Sequence, residues 1–147
     1  NINQILLFIK IILMDLKIIN IAANVKNNKQ LKNFTHKSKY KNNMCGDQIE
    51  IRLVVKRNKI YEMGYQCKSC VYCEASASLL SLISIKKPLN QVNEIIKEVL
   101  EYFSSSNNIL SKNSKKLAYI LNYKNISRKD CILLPFKALK KALQNQL

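Results

Sequence analysis

The sequence predicts an α+β fold, helices with a few strands, and three observations predict it. Glycine and proline are scarce, two of each in 147 residues, too few for the many tight turns of a sandwich or barrel. Between Gln48 and Gln66 apolar residues alternate with polar ones, the period-2 pattern of half-buried strands. From Leu89 to Phe103 the period changes, and Val92, Ile95, Ile96, Val99, Leu100 and Phe103 form one stripe with Glu94, Lys97, Glu98 and Glu101 outside it, as in a helix laid on a core. With 48% of residues apolar, a chain of this length can bury one core and reads as one domain.

Taken in order, Asn1 to Leu13 is mostly apolar but is interrupted by Lys10 and falls short of the about 20 residues that cross a bilayer. Met14, followed by Asp15-Leu16-Lys17, reads as a translation start, and no small-residue cleavage site follows the apolar run. The domain is therefore expected over 15–147, with 1–14 an apolar leader that need not belong to the mature protein. Leu16, Ile18, Ile19, Ala22 and Ala23 suit a short amphipathic helix over Asp15 to Ala23, and the polar, basic stretch Asn24 to Lys41 follows, with His36 read as a surface residue. Gln48 to Val55 and Ile60 to Gln66 are predicted to pair as a hairpin through the turn Lys56-Arg57-Asn58-Lys59. Helices are then expected over Glu74 to Ile85, after the break at Pro88 over Leu89 to Phe103, over Leu110 to Tyr123, and from Cys131 onward with Pro135 in the first turn. A polar loop, Ser104 to Asn108, separates the second of these from the third.

A formal charge of +16 ordinarily points toward nucleic acid or an anionic membrane. Here the lysines are scattered and not interleaved with aromatics, and lysine, asparagine and isoleucine are abundant together, a bias that an AT-rich genome imposes on any protein. The charge is read as a solvated basic surface, with no nucleic acid and no membrane as partner, and an acidic protein partner left open.

Sulfur carries the chemistry. Cys67, Cys70 and Cys73 crowd into seven residues, and Cys45 and Cys131 stand apart. Five is an odd number and the close spacings are of two residues, so metal-bound or reactive thiols in a reducing cytoplasm are expected rather than a disulfide framework. Antiparallel pairing of the hairpin brings Cys45, which precedes it, to the same end as Cys67 and Cys70. Cys70 and Cys131 stand at predicted helix starts, where free amides and the helix dipole favour a thiolate. Cys45, Cys70 and Cys131, with Asp47 two residues after the first, can make a tetrahedral zinc site or an incompletely thiolate-ligated iron-sulfur site. The plain alternative is that some of these are buried cysteines acting as small hydrophobes. Cys67, Cys70 and Cys73 begin a bacterial ferredoxin run, but Ala77 and Ser78 stand where that run needs Cys-Pro, so Cys67 and Cys73 are read as auxiliary thiols or a redox pair.

The ordered motifs Asn43-x-Cys45-Gly46-Asp47, Cys70 followed by Ala75-Ser76-Ala77-Ser78, and Cys131-x-x-Leu134-Pro135-Phe136-x-Ala138-Leu139 together resemble the iron-sulfur cluster assembly scaffold family, which comprises the NifU N-terminal domain, IscU and SufU. The resemblance covers Asp15 to Leu143. It implies a three-stranded antiparallel sheet packed by helices, with the site at one exposed end. It implies Cys45, Cys70 and Cys131 as metal ligands together with Asp47, the residue that makes a bound cluster labile, and Cys45 as sulfur acceptor. The implied cofactor is a transient 2Fe-2S cluster or iron, with zinc as alternative occupant, and the implied partners are a cysteine desulfurase and apo iron-sulfur acceptor proteins. Arg128, three before Cys131, and the long interval from Cys70 to Cys131 resemble the SufU type. Asp130 stands where IscU has a histidine, there is no Leu-Pro-Pro-Val-Lys motif for a chaperone, and Ser69 replaces the usual glycine. Two readings follow from the resemblance, a cluster scaffold and a SufU-like zinc-dependent sulfurtransferase that relays persulfide sulfur.

Overall fold

The computed structural model describes residues 1–106 and 109–145. Helix α1 (Ile2–Ala22) leads into an antiparallel sheet of β1 (His36–Lys41), β2 (Gln48–Lys56) and β3 (Lys59–Lys68), in that spatial order. Helices α2 (Val71–Ser84) and α3 (Leu89–Glu101) follow, then three 3₁₀ segments, Tyr102–Ser104, Lys112–Tyr119 and Tyr123–Arg128, and finally α4 (Lys129–Gln144). This is the expected α+β class with the expected three-stranded sheet. Asn107 and Asn108, in the predicted polar loop, lie outside the described residues.

The hairpin forms where the alternation places it. Lys56 pairs with Lys59 across a two-residue turn whose members, Arg57 and Asn58, both take positive φ, 51° and 58°. Left-handed residues at both turn positions match the twist of the flanking strands. Alternate residues then fall on one face, Ile49, Ile51 and Leu53 from β2 with Met63 and Tyr65 from β3, and a register shift between Val54 and Val55 lets Ile60 join them, all buried. Packed on that face are α2 and α4, the latter bringing Ile132, Phe136, Leu139 and Ala142 into the core. The small residues of α2, Ala75, Ser76, Ala77 and Ser78, are all buried and allow close approach, and the Ser76 hydroxyl donates to the Ile132 carbonyl of α4.

β1 reads as polar because its inward positions are His36, Ser38 and Tyr40. His36 is buried, with its ring Nδ1 2.8 Å from Thr35 Oγ1, which corrects its reading as a surface residue. Ser38 is buried too and donates to the Ala138 carbonyl at 2.6 Å. Hydrogen bonding thus satisfies the inward face that aliphatic side chains fill on β2. Among the described residues β1 pairs only with β2, and at one point of its outer side Lys141 Nζ donates to the Lys39 carbonyl at 3.0 Å. The outer side of β3 is met by loops, with Tyr65 N–H donating to the Asn27 carbonyl and Ile60 N–H to that of Lys87, each at 3.1 Å. Gly64 allows that approach, since a Cβ there would stand 2.5 Å from the Lys29 carbonyl oxygen.

Four elements differ from expectation, the first being α2, which starts at Val71 and not at Glu74 because Cys70 is its N-cap. α1 is one continuous helix from Ile2, not a short one from Asp15. Its second half packs on α2 through buried Ile18, while Ile5, Leu6, Phe8 and Leu13 are exposed. No described helix is long and apolar enough to cross a membrane. The helix expected over Leu110 to Tyr123 is instead the 3₁₀ segment Lys112–Tyr119, with the next, Tyr123–Arg128, beginning where that helix was expected to end. There the Glu98 carboxylate accepts from Ser111 N–H at 2.6 Å and from the hydroxyls of Ser111 and Ser114 at 2.7 Å each, and the Asn122 side chain caps Lys124 N–H. Such local bonds compete with the α-helical ladder. Leu117, Ile120 and Leu121 still face the core. Lastly, α4 starts at Lys129, so Pro135 lies in its second turn rather than its first and has no N–H to return to the Cys131 carbonyl.

Candidate metal centre

The turn between β1 and β2 holds two of the predicted ligands. Asn42 organises it: its carbonyl accepts from Gly46 N–H at 2.8 Å, its side chain accepts from Met44 N–H at 2.9 Å, and its own N–H donates to the Asp47 carbonyl at 2.8 Å. Gly46 takes φ +77°, a left-handed conformation that glycine adopts without the usual penalty. Cys45 is thereby exposed while Asp47, one residue beyond the glycine, is buried. Across from them, Cys131 is buried in the first turn of α4.

The ligand atoms of Cys45, Asp47 and Cys131 all lie within 4.8 Å of one another. Cys70, half-buried at the N-cap of α2, is a neighbour of the Cys131 thiol but outside that closest group. Burial first, then the adjacent Cys70 thiol and Asp47 carboxylate, push the Cys131 thiol well above its ordinary range. Asp47 Oδ2 is buried with no hydrogen-bond partner. An orphaned carboxylate oxygen beside the Cys131 thiol, which is held protonated, is a poor arrangement for an apo-protein and a good one for a cation, which takes the place of that proton. Three soft sulfurs and one hard oxygen fit zinc or iron.

The remaining candidates surround this group. Cys67 lies in β3 opposite Ile49, and Cys73 is fully buried in the first turn of α2. The Cys73 thiol is pushed far up by its neighbour Cys67 first and by burial second, with Ser69 acting in the opposite sense. Arg128, exposed at the N-cap of α4, sets its guanidinium 5.5 Å from the Tyr72 ring centroid. Asp130 is exposed and lines a hollow of about 260 Å³ beside the Cys45 turn, with Met44 and Lys137; it is not a member of the metal group. His36 sits at the opposite end of β1, paired with Leu53. Sequence reasoning missed Tyr72 as the partner of Arg128, since nothing in the sequence links residues so far apart, and Ser69 as a neighbour of Cys73.

Fold and site define a class, a small α+β protein that gathers thiols and a carboxylate at one end of an antiparallel sheet. The NifU-like N-terminal domain family matches residues 14–145. The chain is 30% identical over 105 residues to the iron-sulfur cluster assembly scaffold protein IscU of Thermotoga maritima, covering 71% of this chain and 73% of that protein. It is 29% identical over 129 residues to an uncharacterized protein of Borreliella burgdorferi, covering 88% and 84%. Its fold is similar to that of FiSufU from Fervidobacterium islandicum, with a TM-score of 0.79 at 22% identity over 86% of this chain and 93% of that one. The N-terminal NifU-like protein of Brucella abortus gives a TM-score of 0.77 at 17% identity over 86% and 89%. The chain belongs to the NifU-like N-terminal domain family, that of the IscU, NifU and SufU scaffolds.

Proposed function

We propose that the protein is an iron-sulfur cluster assembly scaffold. It accepts sulfur from a cysteine desulfurase, binds iron, builds a transient 2Fe-2S cluster on Cys45, Asp47, Cys70 and Cys131, and passes it to apo-proteins. One observation carries this reading: Cys45, Asp47 and Cys131 converge within 4.8 Å, with a buried Asp47 oxygen left unpartnered. Cys45 is exposed on its turn and serves as the acceptor. Its thiolate attacks the terminal sulfur of the desulfurase persulfide, becomes a persulfide itself and returns the donor as a thiolate. Asp47 places a hard oxygen among soft sulfurs, so the cluster is held less firmly than by four thiolates and exchanges onto an acceptor. Arg128 and Asp130, exposed near this end of α4, are assigned to the partner-facing rim. Five free cysteines suit work in a reducing cytoplasm.

A second reading is favoured by the contrast between exposed Cys45 and buried Asp47 and Cys131. Zinc held by Asp47, Cys70 and Cys131 would stay while Cys45 leaves it to relay sulfur, and the zinc would supply charge that favours the thiolate. The test is anaerobic purification followed by measurement of zinc, iron and acid-labile sulfide, with and without a cysteine desulfurase, cysteine and ferrous iron, beside Cys45→Ala and Asp47→Ala. Iron and sulfide appearing together, lost in Cys45→Ala and transferred more slowly by Asp47→Ala, is the expected outcome. Stable zinc with faster desulfurase turnover and no cluster selects the relay, and a protein that responds to neither metal nor sulfur sinks both.

A further inference from the structure

Cys67 and Cys73 take no part in the proposed ligand set, yet they are each other's neighbours. In the Cys73 surroundings, Cys67 is the strongest influence and Asp47 is also close enough to act, so the pair adjoins the metal centre on its Asp47 side. Cys67 is partly exposed and Cys73 fully buried, the asymmetry of an entry thiol and a resolving thiol. Cys67 stands opposite buried Ile49 on the inward face of the sheet, the face on which α2 packs with Cys73 buried in its first turn. The five residues between the pair include Cys70, so a bond between them would close a short loop around one ligand.

We infer that Cys67 and Cys73 form an internal dithiol that reduces sulfane sulfur arriving at the site to sulfide and is itself closed to a disulfide. This rests on the scaffold reading for the source of the sulfur. Cys67 thiolate attacks the outer sulfur of the Cys45 persulfide, forming a Cys67 persulfide and freeing Cys45 as thiolate. Cys73 then attacks Cys67 Sγ, the Cys67–Cys73 bond forms, and hydrosulfide leaves with the Cys73 proton. The two electrons come from the two thiols, so one persulfide and two thiols yield one free thiol, one disulfide and one hydrogen sulfide. An external dithiol reductant restores the pair by exchange. Assembly of a cluster needs sulfur as sulfide, while a persulfide donor supplies it one oxidation step higher, at the sulfane level; the pair makes up that difference beside the ligands.

The test loads sulfane sulfur with inorganic polysulfide, removes the excess anaerobically, quantifies what is bound by cyanolysis, and follows sulfide release with no reductant present. Wild type is expected to release about one sulfide per chain, the limit set by one dithiol, and mass mapping should find Cys67 joined to Cys73. Cys67→Ser and Cys73→Ala should load Cys45 but release about tenfold less, each losing one partner of the exchange. Alanine keeps a polar group out of the buried Cys73 position, and circular dichroism checks that both variants fold. In parallel, cluster assembly from iron and inorganic sulfide, which needs no sulfur reduction, should match wild type in both variants. Sulfide release undiminished in Cys67→Ser, or a disulfide mapped to other cysteines, overturns the inference. A wild type that releases sulfide but assembles no cluster sinks the scaffold reading and leaves the dithiol standing.

Discussion

Asp47 keeps a carboxylate oxygen away from water and from every described protein donor, a cost of about 1–3 kcal/mol for a buried unsatisfied group, and more when charged. Asp47→Asn is therefore expected to raise apo-protein stability by about 1 kcal/mol and, on the proposed ligand set, to weaken the binding of added zinc by roughly tenfold or more, as loss of a charged ligand does. Urea unfolding and a chelator competition measure the two effects. Tyr65, buried on the inner face of β3, has its phenol pushed up to about 12 from 10.0, chiefly by burial. A raised value means that the folded state holds the proton longer than the unfolded one, so this contribution is intact below pH 10 and is lost as pH climbs to 12. Tyr65→Phe should flatten the fall in stability over that window by about 1.4 kcal/mol per pH unit, read by urea titrations at successive pH values. The thiols were legible in the sequence because cysteine is rare and its spacing informative. What the sequence could not give was rank among them: Cys70 stands beside the closest cluster of candidate ligands and not in it, a matter of where the α2 N-cap falls against α4.

At the level of elements, the hairpin and the α3 stripe were readable because aliphatic side chains mark the buried face at the right period. β1 was not, since His36 and Ser38 are buried through hydrogen bonds that no hydrophobic pattern displays. The segment after Leu110 was misread for a related reason, its apolar spacing being overruled by the Glu98 and Asn122 bonds. Gly64 gives this level its sharpest test. A methyl group 2.5 Å from the Lys29 carbonyl oxygen and 3.1 Å from Leu31 Cγ forces the 27–31 loop off the sheet, so Gly64→Ala should cost about 1–3 kcal/mol in thermal or urea unfolding. α1 divides in the opposite way. Removing residues 1–13 discards mainly exposed apolar side chains and keeps Ile18 on the core. The shortened chain should melt within a few degrees of the full one and self-associate less, as sedimentation over a concentration series would show.

Over the whole molecule, 25 cationic side chains face 9 acidic ones, and among the described residues the ion pairs are Lys37–Glu50 at 3.1 Å and Arg52–Glu50 at 3.4 Å, both on one carboxylate. Most of the positive charge is therefore uncompensated, and self-repulsion opposes compaction. Raising salt from about 0.05 to 0.5 M, which shortens the screening length well below 10 Å, should move the urea midpoint upward. A midpoint that falls with salt would mean that attraction, not repulsion, dominates the surface. The same lysines have a local effect on β1. With the β3 side occupied by the Asn27 and Lys87 loops, β1 is the place where the sheet could grow, and Lys37, Lys39 and Lys41 all point outward along it. Charged edge strands resist the addition of a foreign strand. Acetylating those amines would remove the guard and leave a template for stacking chain on chain, so the basic composition acts here as protection against fibre formation.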